Sequence, residues 1–175
     1  MELTIGDLKV WNETMIGLIK ELENLENFVG KAKDDSLREL LSNQFKTHRN
    51  HYVLLKVLLN GENPSDLTKP DLTVLAQHGP IGSAPTHLGL AEDANQSGDR
   101  LMAYSHFLAC CRGGREFAWN LFDVTYPPLT EVLLSGVRLY ASDVLTMKRW
   151  LMSHEHYLSQ PASQNQIQTL QHTFA

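Results

Sequence analysis

Apolar side chains recur at intervals of three and four in four separate stretches of this chain. In the first, Trp11, Met15, Leu18, Leu22, Leu25 and Val29 follow a 4, 3, 4, 3, 4 spacing. That spacing places them on one face of a helix, with Glu13, Lys20, Glu23 and Asn27 on other faces. Gly30 stands just past the last seam residue, where a helix commonly stops. Asp34-Asp35-Ser36 then offers capping groups and early negative charge for a second helix. Its seam is Leu37, Leu41, Phe45, His48, Tyr52, Leu55 and Leu59, closed by Asn60-Gly61. The short connection predicts an antiparallel hairpin over residues 8–60.

Residues 61–97 read differently. Pro64, Pro70, Pro80 and Pro85, with Gly61, Gly79, Gly82 and Gly89, interrupt any long helix, although 67–77 could hold a turn or two. At roughly 35 residues this connector far exceeds the ~4–6 usual in a compact domain, but it suits a crossover between two helical hairpins. Helical spacing resumes at Gly98-Asp99 with Ala103, Phe107, Cys110, Gly114, Phe117 and Leu121. Pro127-Pro128 marks the next turn and the first positions of a fourth helix, where proline is tolerated. That helix carries Leu129, Leu133, Val137, Tyr140, Val144, Met147 and Leu151. The second hairpin thus covers residues 98–157. The tail, 158–175, is rich in Gln and Ser, with Ile167 and Leu170 as candidates for a short docked helix.

The two halves align. A shift of 92 carries Leu37 onto Leu129, Leu41 onto Leu133, His48 onto Tyr140, Leu55 onto Met147 and Leu59 onto Leu151. The same shift carries Met15 onto Phe107, Leu18 onto Cys110 and Leu25 onto Phe117. Thirteen heptads would be one residue shorter, so continuous heptad phase does not produce this agreement. The expectation is one all-α domain over residues 1–175, a ferritin-like four-helix bundle of two repeated αα-hairpins joined by a long crossover.

Charge and cysteine narrow the function classes. Fifteen Lys and Arg against twenty Asp and Glu give a net charge of −5, unfavourable for gathering phosphates, so nucleic acid is not an expected partner. No stretch approaches the ~18 uninterrupted apolar residues of a membrane span. The N-terminus lacks the basic and apolar segments of a secretory signal, so a cytoplasmic location is expected. Cys110 and Cys111 are neighbours without C-x-x-C spacing, and read as reduced thiols, one of them packed as a small hydrophobe.

A di-iron centre of ferritin type requires inward carboxylates, a Glu from each of two helices and Glu-x-x-His from the other two. The four seams contain no Asp or Glu; Glu26 and Glu116 lie only beside them. That predicts a bundle without a di-iron site and without a cofactor. His48 is the polar member of the second seam, with His51 one turn on and Gln44 one turn back. His48 and His51, with Asp143 as the mate of His51 under the repeat, form a candidate metal or small-ligand site. The alternative is a buried His48 hydrogen-bonded across the bundle, for instance to Tyr140, with Gly114 leaving room for a ring. A three-histidine metal set fits poorly, because His154 and His156 face different directions. His78, His87, His106 and His172 read as surface or loop residues, and no phosphate loop or nucleophile elbow is present.

Four stretches carry a family likeness: Asp35 to Leu41 leading to His48, Gly89 to Asn95, Pro128-Leu129, and Leu158-Ser159-Gln160-Pro161. Through them, residues 10–162 resemble ferritin-like spore coat proteins of the coat protein F type and a related family from spore-forming bacteria. Two features depart from the family. His154-Glu155-His156-Tyr157 stands where a Gly-Trp-Tyr-like exit is usual, and the chain has one pair of hairpins where many relatives carry the unit twice. The resemblance implies a structural, non-enzymatic protein of the spore coat, with protein partners or self-association as a homodimer. It carries over no catalytic residue.

Overall fold

The computed structural model describes residues 3–61 and 97–154. The 62–96 part of the connector, the 155–175 tail and His78, His87, His156 and His172 lie outside the described residues. Among those described there are four helices: α1 (Ile5–Lys31), α2 (Asp35–Leu59), α3 (Ser97–Asn120) and α4 (Pro127–Ser153). Local chemistry sets their ends. Thr4 and Asp7 form a capping box at the start of α1, the Thr4 hydroxyl accepting from the Asp7 N–H while the Asp7 carboxylate accepts from the Thr4 N–H. Asp34 caps α2 by accepting from the Leu37 N–H at 2.8 Å. Pro127 and Pro128 occupy the first turn of α4, whose free N–H groups need no helical partner.

The helices form a closed four-membered ring in cross-section. Within each hairpin α1 packs on α2 and α3 on α4; between hairpins α2 packs on α4, and α1 meets α3 less extensively. Two buried carboxylates fix how the hairpins face each other. Asp7 Oδ1, at the start of α1, accepts from the backbone N–H groups of Thr125 and Tyr126 in the α3–α4 turn at 2.7 and 3.1 Å. Asp99, at the start of α3, accepts from the backbone N–H groups of Lys33 and Asp34 in the α1–α2 turn, the shortest contact being 2.7 Å. Asp99, Thr125 and Tyr126 each lie 92 positions after Asp7, Lys33 and Asp34. These contacts place the start of each hairpin against the turn of the other. The helices therefore run up, down, down, up, and α2 ends at the opposite end of the bundle from the start of α3.

The apolar interior is divided. Near one end Trp11, Leu18, Leu55, Leu58, Phe117, Leu129 and Leu133 pack together. Near the other, Leu25, Leu37, Leu41, Ala103, Met147 and Leu151 do so. Between them the helices turn polar residues inward, which differs from the predicted seams. On α1 the innermost positions are Thr14 and Glu21, with Met15 and Leu22 only half-buried. On α2 they are Gln44, His51 and Leu58 in place of Phe45, Tyr52 and Leu59. On α3, His106 is fully buried while Phe107 is not, and on α4 Gly136 and Asp143 replace Val137 and Val144. Each helix in a ring touches two neighbours, so its apolar stripe spreads along the contacts and the residue one position back faces the axis. The expectation of seams without carboxylates is thereby overturned: Glu21 and Asp143 are 8 % and 5 % exposed.

No described helix is long and apolar enough to cross a membrane.

Candidate polar centre

The polar belt is built from all four helices. Its first half joins α2 to α4. The His48 Nε2–H donates to Asp143 Oδ2 at 2.6 Å, both groups being buried. Tyr140 lies edge-on to His48 with ring centroids 4.9 Å apart, so the hydrogen bond expected between them goes to Asp143 instead. The ring reaches that place because residue 113, not 114, is the critical glycine: a Cβ on Gly113 would stand 2.6 Å from two Tyr140 ring carbons.

The second half joins α1, α2 and α3. Gln44 donates through Nε2 to Thr146 Oγ1 at 3.0 Å, and the Thr146 hydroxyl donates onward to the Asp143 carbonyl. This orientation points Gln44 Oε1 at His106, whose Nε2–H donates to it at 2.7 Å. In a neutral ring Nδ1 is then the bare acceptor nitrogen. It lies 3.1 Å from Glu21 Oε1, and Cys110 Sγ stands against the same ring, 3.4 Å from Nε2 and 3.9 Å from Nδ1. His106, predicted to lie at the surface or in a loop, is fully buried at the middle of the bundle.

Four buried polar side-chain atoms have no hydrogen-bond partner among the described residues: Trp11 Nε1, Glu21 Oε1, His48 Nδ1 and His51 Nε2. Three of the four belong to this belt. Buried polar atoms are normally paired, so each of these three is a position that a water, an ion or a ligand would satisfy.

The electrostatics of the belt follow from burial and proximity. Burial pushes the Glu21 carboxyl up, but His106, then His48 and Arg112, outweigh it and hold the group below the usual range. Burial, reinforced by Asp143 and Glu21, pushes the Cys110 thiol far up. Burial, reinforced by Glu21, Cys110 and Asp143, does the same to the Tyr140 phenol. His51 is pushed down to about 4 by burial and by the neighbouring His48.

That shift predicts a stability profile. Above pH 6.5 His51 is neutral in both folded and unfolded chains and contributes no pH dependence. As pH falls from 6.5 toward 4, the unfolded chain takes up a proton that the folded site refuses, and stability falls by up to about 3 kcal/mol. Thermal unfolding of a His51→Leu variant should therefore show a smaller drop in Tm between pH 7 and pH 5 than the parent chain.

The sequence-predicted candidates separate in space. His48 and Asp143 are directly paired. His51 turns away from them, its ring against Phe117 at 5.7 Å. Its Nε2 lies close to the Gly136 backbone, 3.2 Å from where a Cβ would stand there. Among the described residues one group of three or more His, Cys, Asp or Glu brings its ligand atoms within 4.8 Å of one another: Glu21, His106 and Cys110. Periodicity passed over all three as ligands. The signal available was the regular return of polar residues one position before the apolar seam, at Glu21, Gln44, His106 and Asp143.

Two grooves approach the belt from opposite sides. One, between α1 and α3, has a volume of about 570 Å³ and reaches Glu21 and Tyr140. The other, between α2 and α4, reaches Gln44 and Asp143. No family model, curated protein or solved structure matches this chain.

Proposed function

We propose that this chain is a metal-binding helical bundle whose centre holds one borderline-soft divalent ion, of the zinc type, on Glu21, His106 and Cys110. One observation carries the reading. Glu21 Oε1 and His106 Nδ1 stand 3.1 Å apart, yet that oxygen has no aligned hydrogen bond. Two acceptor atoms this close need a cation between them, either a metal ion or the proton of an imidazolium. Tetrahedral zinc separates nitrogen and oxygen ligands by about 3.3 Å, and nitrogen and sulfur ligands by about 3.6 Å. The 3.1 Å separation is close to the first value, while Cys110 Sγ, 3.9 Å from Nδ1 and 3.4 Å from Nε2, would turn toward Nδ1 to complete the set. Three protein ligands leave a fourth position open, and a carboxylate, imidazole and thiolate together suit zinc or cobalt better than magnesium or calcium. Gln44 supplies the outer support, fixing the His106 ring through Nε2. Of the candidates suggested by periodicity, His48, paired with Asp143, adds to the field at Glu21, while His51 lies against Phe117.

The test is metal analysis of untagged protein, followed by zinc titration. One ion per chain is expected, with affinity reduced at least 100-fold in Glu21→Gln and His106→Gln and unchanged in His154→Ala. A chain that binds no zinc, iron, manganese or cobalt stoichiometrically, and whose Tm ignores chelator, would overturn the reading.

The up-down-down-up order, the central polar belt and the matching Asp7 and Asp99 contacts support a ferritin-like bundle derived from a duplicated hairpin. Among the described residues the belt holds two carboxylates, Glu21 and Asp143, fewer than the di-iron set of that architecture uses. A second reading, a self-associating structural component such as a coat protein, draws on one end of the molecule. There Ile5 is 87 % and Phe122 86 % exposed, and Gly6 adjoins the Asp123 carbonyl. If that end is a contact, Phe122→Ser should shift the chain toward a monomer in size-exclusion chromatography with light scattering; an unchanged mass would remove this reading.

A further inference from the structure

We propose that the outer face of α1 is a dimer interface, on which a second copy of this chain packs its own α1 antiparallel, with Asn12 at the two-fold axis. This interface uses neither the metal ligands nor Phe122. α1 is apolar on two sides. Trp11, Leu18 and Leu25 face the bundle interior. Ile5, Leu8, Ile16 and Ile19 do not, and are between 41 % and 87 % exposed. At 100° per residue, Ile5, Leu8, Asn12, Ile16 and Ile19 fall within an arc of about 80° directed away from the interior. Isolated apolar residues are ordinary on a surface, but four in one arc over about 21 Å of helix form a stripe. Glu23 and Glu26 continue the same arc and end it.

The spacing selects the occupant. From Ile5 to Ile19 the intervals are 3, 4, 4 and 3, which read the same from either end. An antiparallel copy centred on Asn12 therefore sets Ile5 opposite Ile19, Leu8 opposite Ile16, and Asn12 opposite itself. That is the self-complementarity a two-fold interface requires. The Asn12 amide both donates and accepts, so two copies satisfy each other at the axis. A slip of one turn would set the amide against Leu8 or Ile16, which fixes the register. Charge agrees with the direction. On the flank each Lys9 comes nearly level with the partner copy's Glu13, and each Glu23 reaches the start of the other α1, the positive end of its dipole. A parallel pairing would instead stack Glu23 on Glu23 and Glu26 on Glu26. The stripe is one helix wide, less than the ~800 Å² per partner of a standard interface, so the dimer should depend on concentration.

Sedimentation velocity on the full chain tests this. Dimer should predominate near ~300 μM and monomer near ~3 μM, as expected for a small interface. Ile16→Glu, at an exposed position, should keep the parent Tm and stay monomeric throughout. Phe122→Ser and chelator should leave the dimer unchanged. In a Cys111→Ser background, Asn12→Cys should link to its own copy with a short bismaleimide, whereas Lys46→Cys, exposed on α2, should not. A chain that stays monomeric at ~300 μM would overturn the inference. So would a dimer that survives Ile16→Glu, or one in which Lys46→Cys links and Asn12→Cys does not. If Phe122→Ser dissolves that surviving dimer, the end contact described above is the one in use. Metal binding is read separately, so a failed metal titration leaves this result standing.

Discussion

Asp143→Ala is expected to destabilise the bundle by about 3–5 kcal/mol, the range for removing one member of a buried charge-assisted pair. The cost arises on the side that remains. His48 is fully buried, its Nδ1 already lacks a partner, and without Asp143 its Nε2–H would lack one too. Desolvation of that polar ring would no longer be offset by any hydrogen bond. The neighbouring Tyr140 offers a ring edge, not an aligned acceptor. If the pair acts as a unit, His48→Phe in the Asp143→Ala background should recover part of the loss, because it removes the orphaned donor. A double-mutant cycle in urea measures this directly. Additive losses in the cycle would show that the two side chains contribute independently, contrary to the short contact between them.

Asp7→Ala is the second large effect, at about 2–4 kcal/mol. One carboxylate accepts from the Thr4, Thr125 and Tyr126 backbone N–H groups and from the Thr4 and Thr125 hydroxyls. It both starts α1 and holds the α3–α4 turn of the other hairpin. Burial acts to raise its pKa, but the hydrogen bonds from Thr4, Thr125 and Tyr126 dominate and hold the carboxyl well below the usual range. The sign follows from linkage. A depressed folded pKa contributes stability that is fully present above the unfolded value near 3.9 and is lost as pH falls below it. The parent chain should therefore lose stability below about pH 4 more steeply than Asp7→Asn, which keeps the side-chain shape without the titration. Parallel acid profiles would show that the carboxylate charge does not hold the turn. This window lies below the one assigned to His51, so the two contributions can be separated by pH alone.

Much of the architecture was legible because it rests on local rules. Threes-and-fours spacing, Gly30, Asp34, Asn60 and Pro127 located four helices within a few residues, since caps and breakers act on their own neighbours. The two hairpins were legible too, although what sets them against each other, Asp7 and Asp99 on backbone N–H groups of the opposite turn, requires contacts between hairpins that no local pattern displays.

The centre was less accessible for a rotational reason. One residue corresponds to 100° around a helix, and an apolar stripe is itself about that wide. Periodicity therefore defines which side of α1 faces inward, but not whether Leu22 or Glu21 lies on the axis. That choice is made when four helices pack together and each apolar stripe divides between two neighbours. The sequence by itself determined four amphipathic helices, their ends, the hairpin pairing and His48 as an inward polar residue. Only the tertiary structure decided that Glu21, His106 and Cys110 converge, that Asp143 pairs with His48 while His51 turns toward Phe117, and that a groove leads to Glu21. Ligand geometry depends on distances between helices, and those distances are set by side-chain packing across the whole bundle.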